Sequence, residues 1–193
     1  MKKLSVFILF CLILFNRINA QPNGGFENWI TEFGYEAPLD WQTMNVLSLT
    51  TPPNPLSAFK SFGIDKYSGF YGLKIQTIHV VNNPAPGGIA DTFGVVFKGK
   101  ITVSPIGFKP GFSYTGRPEK LQFYSKYHPI GNDVAYAFVV LKKWNGFSVD
   151  TIALGATEIN ATPMFEFFEV PLIYRSDTLY PDSVDIAFFS SRN

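Results

Sequence analysis

The chain has 193 residues and a formal net charge of +1; 46% of its residues are hydrophobic, 17% aromatic and only 16% charged. It shows no basic footprint for nucleic acid and no polybasic membrane patch. Its one cysteine, Cys11, speaks against a disulfide scaffold, a cysteine nucleophile and a thiolate zinc site. A chain this long can bury a core without covalent staples, and its 20 phenylalanines predict a core built largely from rings.

Lys2 and Lys3 open an apolar run from Leu4 to Leu14, and Ile18-Asn19-Ala20 gives it a small-residue end. This is the order of a secretory signal peptide. The run falls well short of the roughly 20 residues that span a bilayer. Residues 1–20 are read as the leader and 21–193 as one β-sandwich domain, with no membrane span in the mature chain. Loss of Lys2, Lys3 and Arg17 with the leader takes the net charge from +1 to −2. The protein is expected to be exported across the inner membrane, to be secreted or held at the cell surface, and to be a monomer.

Beyond the leader, glycine or proline interrupts almost every stretch long enough for a helix. Short β-branched and aromatic segments alternate with turn chemistry instead. The predicted strands are Gly25–Ile30, Ser57–Ile64, Gly72–Ile78, Gly88–Phe97, Lys100–Ser104, Lys120–Tyr127, Val134–Lys142, Asp150–Glu158, Phe165–Ile173 and Ser183–Ser190. In the sixth, Leu121, Phe123, Ser125 and Tyr127 share a face. In the last, Val184, Ile186 and Phe188 do. Val134–Leu141 is apolar on both faces and reads as a central strand. Pro52, Pro53 and Pro55 bar a ladder between the first two strands. The Asn145-Gly146 pair predicts a tight hairpin. Such a series of short strands without helical crossovers points to an all-β fold, an antiparallel two-sheet sandwich or jelly roll. The chain stops three residues after its last predicted strand, so its closing C-terminal strand is expected to be missing.

The chemistry-bearing residues are few. His79 and His128 stand far apart in sequence with no metal-ligand spacing, which speaks against a zinc hydrolase. No nucleophile elbow, phosphate loop or dinucleotide fingerprint is present. Glu158, Glu166, Glu169, Asp182 and Asp185 lie in or beside the C-terminal strands. A glycosidase could draw two facing carboxylates from such a set, but the sequence cannot pair them. Glu27, next to Phe26 on the first predicted strand, could ligate a structural Ca²⁺ or accept hydrogen bonds from loop backbone. Trp144 at a hairpin tip, Tyr127 beside a turn and Trp41 after Pro38-Leu39-Asp40 could stack on the apolar faces of sugars, or each could plug an end of the sandwich.

Asn23-Gly24-Gly25-Phe26-Glu27-Asn28-Trp29 with Pro38-Leu39-Asp40-Trp41 resembles the opening of jelly-roll carbohydrate-binding domains, and Ser68-Gly69-Phe70-Tyr71-Gly72-Leu73-Lys74-Ile75 is similar to their second block. Gly116-Arg117-Pro118-Glu119-Lys120-Leu121, Tyr124-Ser125-Lys126-Tyr127, Gly131-Asn132-Asp133, Val170-Pro171-Leu172-Ile173-Tyr174 and Pro181-Asp182-Ser183 follow in an order that resembles the "putative carbohydrate metabolism domain" family of type IX-secreting bacteria. The resemblance covers about residues 23–191. It implies a galactose-binding-like sandwich and a glycan or polysaccharide partner, and it carries over no catalytic pair. Such proteins end in a further strand and a sorting domain, both expected to be missing with the C-terminal end, and related domains complete a Ca²⁺ site at the Glu27 position from that strand. The expected activity is non-catalytic glycan binding or adhesion. A glycan-active enzyme and a purely structural surface protein are the alternatives.

Overall fold

The computed structural model describes residues 22–50, 52–81, 92–103 and 106–192. The leader reading falls on residues 1–20, outside that range.

The N-terminal hairpin joins β1 (Trp29–Glu32) to β2 (Tyr35–Pro38). The short β3 (Gln42–Thr43) runs into a 3₁₀ helix, Met44–Leu49, whose first turn is capped by the Thr43 hydroxyl. Two more hairpin pairs follow, β4 (Ala58–Ser61) with β5 (Gly72–Ile75) and β6 (Ile78–His79) with β7 (Thr92–Phe93). Next come β8 (Val95–Phe97), β9 (Gly99–Val103), β10 (Ile106–Pro110) and β11 (Phe112–Ser113). The long strands close the chain: β12 (Lys120–Tyr127), β13 (Ala135–Trp144), β14 (Val149–Ile159), β15 (Thr162–Pro171), the short β16 (Ile173–Tyr174) and β17 (Ser183–Phe189).

The main sheet runs β16-β14-β13-β17-β8-β3, with β11 paired to the start of β17, and every pairing in it is antiparallel. Its centre is β13, flanked by β14 and β17, as the uniformly apolar Val134–Leu141 run predicts. A second layer, built around the β12–β15 pair and the β4–β5 hairpin, lies over one face. The period-2 patterns explain the match. Val139, Leu141, Val184 and Ile186 point from the main sheet into one cluster with Ile152, Val170 and Leu172; Leu121, Phe123, Leu73 and Ile75 pack on it from the other layer. The opposite face of the sheet is covered too: Val95, Phe97 and Ala187, with Phe138 and Phe189 beside them, pack against Met44, Val46, Leu47, Ile78, Val80 and Phe93. Each valine, leucine, isoleucine, methionine or phenylalanine among them, fully buried, contributes about 1.5–3 kcal/mol of transfer free energy. The molecule is an all-β antiparallel sandwich with apolar packing on both faces of its main sheet.

Three local expectations need correction. Residues 23–28 are not strand: β1 begins only at Trp29, because Asn23 and Phe26 both adopt positive φ, 52° and 57°. The Asn145-Gly146 pair does not make a two-residue hairpin. Trp144 pairs with Val149, leaving a four-residue loop, in which the Asn145 side chain accepts from the Phe147 and Ser148 N–H groups and donates to Asp150. Strands β2, β3, β10 and β11 are additional to the predicted set; β2, β3 and β11 are too short to show a period.

Candidate functional site

A cleft of about 550 Å³ opens where the end of β13 meets the β9–β10 hairpin. The opening lies within the main sheet, where β8 gives way to β11 beside β17. The chain leaves β8 at Lys98, whose N–H donates to Ile186 O at 3.0 Å, makes the β9–β10 excursion, and returns at Gly111, whose N–H donates to Lys98 O at 2.8 Å. Gly111 has φ +107°, and a Cβ there would collide with Asp185 Oδ1, so only glycine lets the strand return this close.

Trp144 stands at the mouth of the cleft with its side chain free and its backbone held. It is 55% exposed, while its N–H donates to Asp182 Oδ2 at 2.7 Å. Asp182 in turn donates its own N–H to Lys142 O at 2.9 Å, and its Oδ1 accepts from the Ser183 hydroxyl. The Trp144 N–H is the main reason that the Asp182 carboxyl is held below the usual carboxylate range; the Ser183 hydroxyl and the Lys143 charge act in the same direction. The β-bulge between Leu141 and Lys142 turns this strand end. Val149, across the ladder from Trp144, and Phe112 supply further apolar lining.

The polar lining is mostly cationic. Lys98, Lys100, Lys109 and Lys142 meet there, with Asp40 and Asp182 as the acids. Lys142 is paired with Asp185 at 2.7 Å. Lys98 is 2% exposed; its ammonium donates to Pro22 O and lies 4.7 Å from the centre of the Trp41 ring. Burial pulls its pKa down, and the nearby Asp40 opposes that.

The structure does not bring the three sequence-predicted rings together. Trp41 is 1% exposed and sits in the core between Phe26, at 5.1 Å, and Phe188, at 6.1 Å; its indole N–H donates to Asn23 O. It therefore plugs the sandwich and presents no free ring face. Tyr127 packs, partly buried, by Ala135 and Ala137 at the start of β13, whereas Trp144 ends that strand. Ten residues at about 3.3 Å each place the two rings roughly 30 Å apart. The Tyr127 hydroxyl donates to Ser190 O at 2.9 Å, and burial, with help from Asp133, pushes its pKa up to about 12.

Glu27 is a clasp. Its two carboxylate oxygens accept from the Phe70 N–H at 3.0–3.1 Å, and one also accepts from the Tyr71 N–H at 3.3 Å. This is the loop-backbone arrangement that the sequence left open beside the cation one. Among the described residues no group of three or more His, Cys, Asp or Glu side chains is placed to hold a metal ion. Asn23 makes a similar knot: its carboxamide donates to Asn28 O and Leu39 O and accepts from the Asn28 N–H. The motif that carries the resemblance thus folds the N-terminal segment onto the sandwich.

The C-terminal acids are dispersed. Glu169 bonds Lys120 and Gln122, Glu158 pairs with Arg192, and Asp185 with Lys142. Sequence reasoning missed two features. One is the lysine group, because Lys100 and Lys109 become neighbours only through the β9–β10 register. The other is a set of partly exposed rings on the outer face of β12–β15, where Tyr67 stacks on Tyr124 at 3.6 Å and Tyr124 touches Phe167 at 5.1 Å. The strand alternation puts Tyr124 on that face, so it was legible; even stacked, Tyr67, Tyr124 and Phe167 stay about half exposed.

Among the described residues no helix is long and apolar enough to cross a membrane. No family model and no curated protein matches the chain. Two solved structures do. One, from Bacteroides thetaiotaomicron and described as a "putative glycoside hydrolase", aligns with a TM-score of 0.65 at 16% identity over 87% of this chain and 63% of its own. The other, from Bacteroides vulgatus with the same description, gives 0.54 at 16% identity over 84% of this chain and 80% of its own. This chain thus spans 63% of the length of the first. At such identity the likeness is one of fold: the chain shares the β-architecture of these two proteins.

Proposed function

We propose that this protein is a secreted or surface-held module that binds a glycan without cleaving it, and that the cleft beside Trp144 is its binding site. The observation that carries the reading is the Trp144 ring, largely solvent-exposed at the mouth of a sizeable cleft while its backbone is fixed by Asp182. A ring whose strand is already ordered loses little entropy when a sugar face stacks on it. The lysines, Ser183 and Asp182 around it supply the hydrogen bonds that orient a sugar. The description carried by the two structural neighbours supports a carbohydrate ligand. The likeness to a family of type IX-secreted proteins, and the leader-like first 20 residues, support export.

That same description also favours an enzyme, and Asp40 and Asp182 do line one cleft. A glycosidase, however, needs one carboxyl kept protonated. Asp182 is held toward its ionised form, which suits a base, a nucleophile or a hydrogen-bond acceptor and not the proton donor. The exposed Trp144 ring at the cleft mouth, which a stacked sugar would use, is what favours binding.

A glycan array probed with the purified mature chain and with Trp144→Ala tests it. Binding by the wild type that Trp144→Ala abolishes is the expected result. Loss on Tyr124→Ala with Trp144→Ala unaffected would move the site to the β12–β15 face, and release of reducing ends from a bound glycan would replace the binding reading with the enzymatic one.

A further inference from the structure

We infer that the cleft selects a glycan carrying negative charge, a uronic acid carboxylate or a sulfate ester. This deepens the glycan reading of the same site and rests on it.

Lys100 and Lys109 face each other directly across the β9–β10 ladder. Like charges at directly opposed positions destabilise a strand pair, so the fold alone would disfavour this arrangement. Both are exposed and both line the cleft. Among the described residues neither has an acidic partner within ion-pair distance, whereas the other cations of the cleft are committed: Lys142 to Asp185 and Lys98 to Pro22 O. Of the two acids, Asp182 is occupied by the Trp144 N–H and Ser183, and Asp40 acts on the buried Lys98. The result is two unpaired ammonium groups at the rim of a concave site, in a mature chain whose sequence sums to a net charge of −2. A concave wall focuses such a field on whatever enters. Carboxylate and sulfate oxygens accept charge-assisted hydrogen bonds from lysine at about 2.7–2.9 Å. Trp144 beside them takes a pyranose C–H face. Together, a stacking ring and two unpaired cations fit an acidic sugar better than a neutral one.

The test is a set of titrations of the mature chain with polygalacturonate, its fully methyl-esterified form, dextran sulfate, neutral dextran, polyglutamate and a single-stranded oligodeoxynucleotide. Variants Lys109→Glu, Lys100→Ala with Lys109→Ala, and Trp144→Ala are run beside the wild type, each with a melting curve. The expected result is binding to polygalacturonate or dextran sulfate that weakens with salt, falls at least about tenfold in the double alanine variant, and is also lost in Trp144→Ala. The two acidic polymers separate a carboxylate ligand from a sulfate one. Lys109→Glu should melt no lower than the wild type, because it relieves the opposed pair, while losing the ligand. Equal affinity for the esterified or neutral polymer, sensitive to Trp144→Ala but not to the lysines, would overturn the charge inference and leave the glycan reading standing. Binding to none of the polymers would overturn both. Equal binding of polyglutamate, or tighter binding of the oligonucleotide, indifferent to Trp144→Ala, would mark a general polyanion patch and overturn the inference as well.

Discussion

Trp41 and Trp144 are two tryptophans in segments of similar character, each next to turn-forming polar residues, and the fold treats them in opposite ways. At the N-terminal clasp, positive-φ Asn23 and Phe26 wrap the chain around the Trp41 indole, and the buried Lys98 covers it. At the β13–β14 tip, every hydrogen bond spent on Trp144 goes to its backbone, and the ring stays free. What separates the two is the destination of the neighbouring polar groups. Around Trp41 they close over the ring; around Trp144 they fix the strand. Only the second arrangement leaves a ring ready for a ligand.

Truncation should split the pair most sharply. Trp41→Ala removes a ring from the core and should cost about 3–5 kcal/mol in urea unfolding. Trp144→Ala, at an exposed tip, should stay within about 0.5 kcal/mol of the wild type. Comparable losses in both would erase the distinction.

The clasp itself is the next target. Gly69 has φ +66°, and a Cβ there would run into Glu27 Oε1. Gly69→Ala should therefore destabilise by about 1–3 kcal/mol, and Glu27→Ala by about 1 kcal/mol through the loss of its backbone donors. Because those N–H groups already occupy the Glu27 carboxylate, millimolar Ca²⁺ should leave the melting temperature of the wild type in place; a rise of several degrees that Glu27→Ala removes would restore the cation reading.

A smaller effect concerns the far end of β13. The Tyr127 hydroxyl is favoured in its neutral form by burial and by Asp133, with a folded-state pKa of about 12 against about 10 for a free tyrosine. A group whose pKa is raised on folding adds stability that is complete below the unfolded value and fades as pH climbs through the folded one. Stability should thus decline between about pH 10 and 12, with Tyr35, Tyr114 and Tyr174, also raised chiefly by burial, contributing. Tyr127→Phe should flatten part of that decline. An unchanged slope in the variant would show that the hydroxyl is as solvated as in the unfolded chain.

The architecture was legible wherever the period of 2 ran long enough to be seen. Lys120–Tyr127 matches β12 at both ends, and Val184, Ile186 and Phe188 share a face as their spacing requires. Legibility failed where backbone conformation overrode pattern, as at residues 23–28, or where strands held only a few residues. For the proposed site, the exposed position of Trp144 could be read because a ring beside Asn-Gly predicts a hairpin end. The positioning role of Asp182 could not, since it depends on a contact 38 positions away in sequence. Nor could the lysine pair, which is a product of register. Trp41 could be read as a stacking ring or as a plug, and the choice rests on Phe26, Phe188 and Lys98, all distant from it in sequence.

Quenching of indole fluorescence by acrylamide, with and without bound glycan, tests the central claim most directly. Trp41 is shielded in either state and the partly buried Trp29 lies away from the cleft, beside Lys60, so the part of the quenchable signal that differs between the wild type and Trp144→Ala belongs to Trp144. Glycan should protect that signal in the wild type and leave the residual emission of Trp144→Ala unchanged. A bound glycan that leaves the exposed tryptophan as quenchable as before would contradict the account.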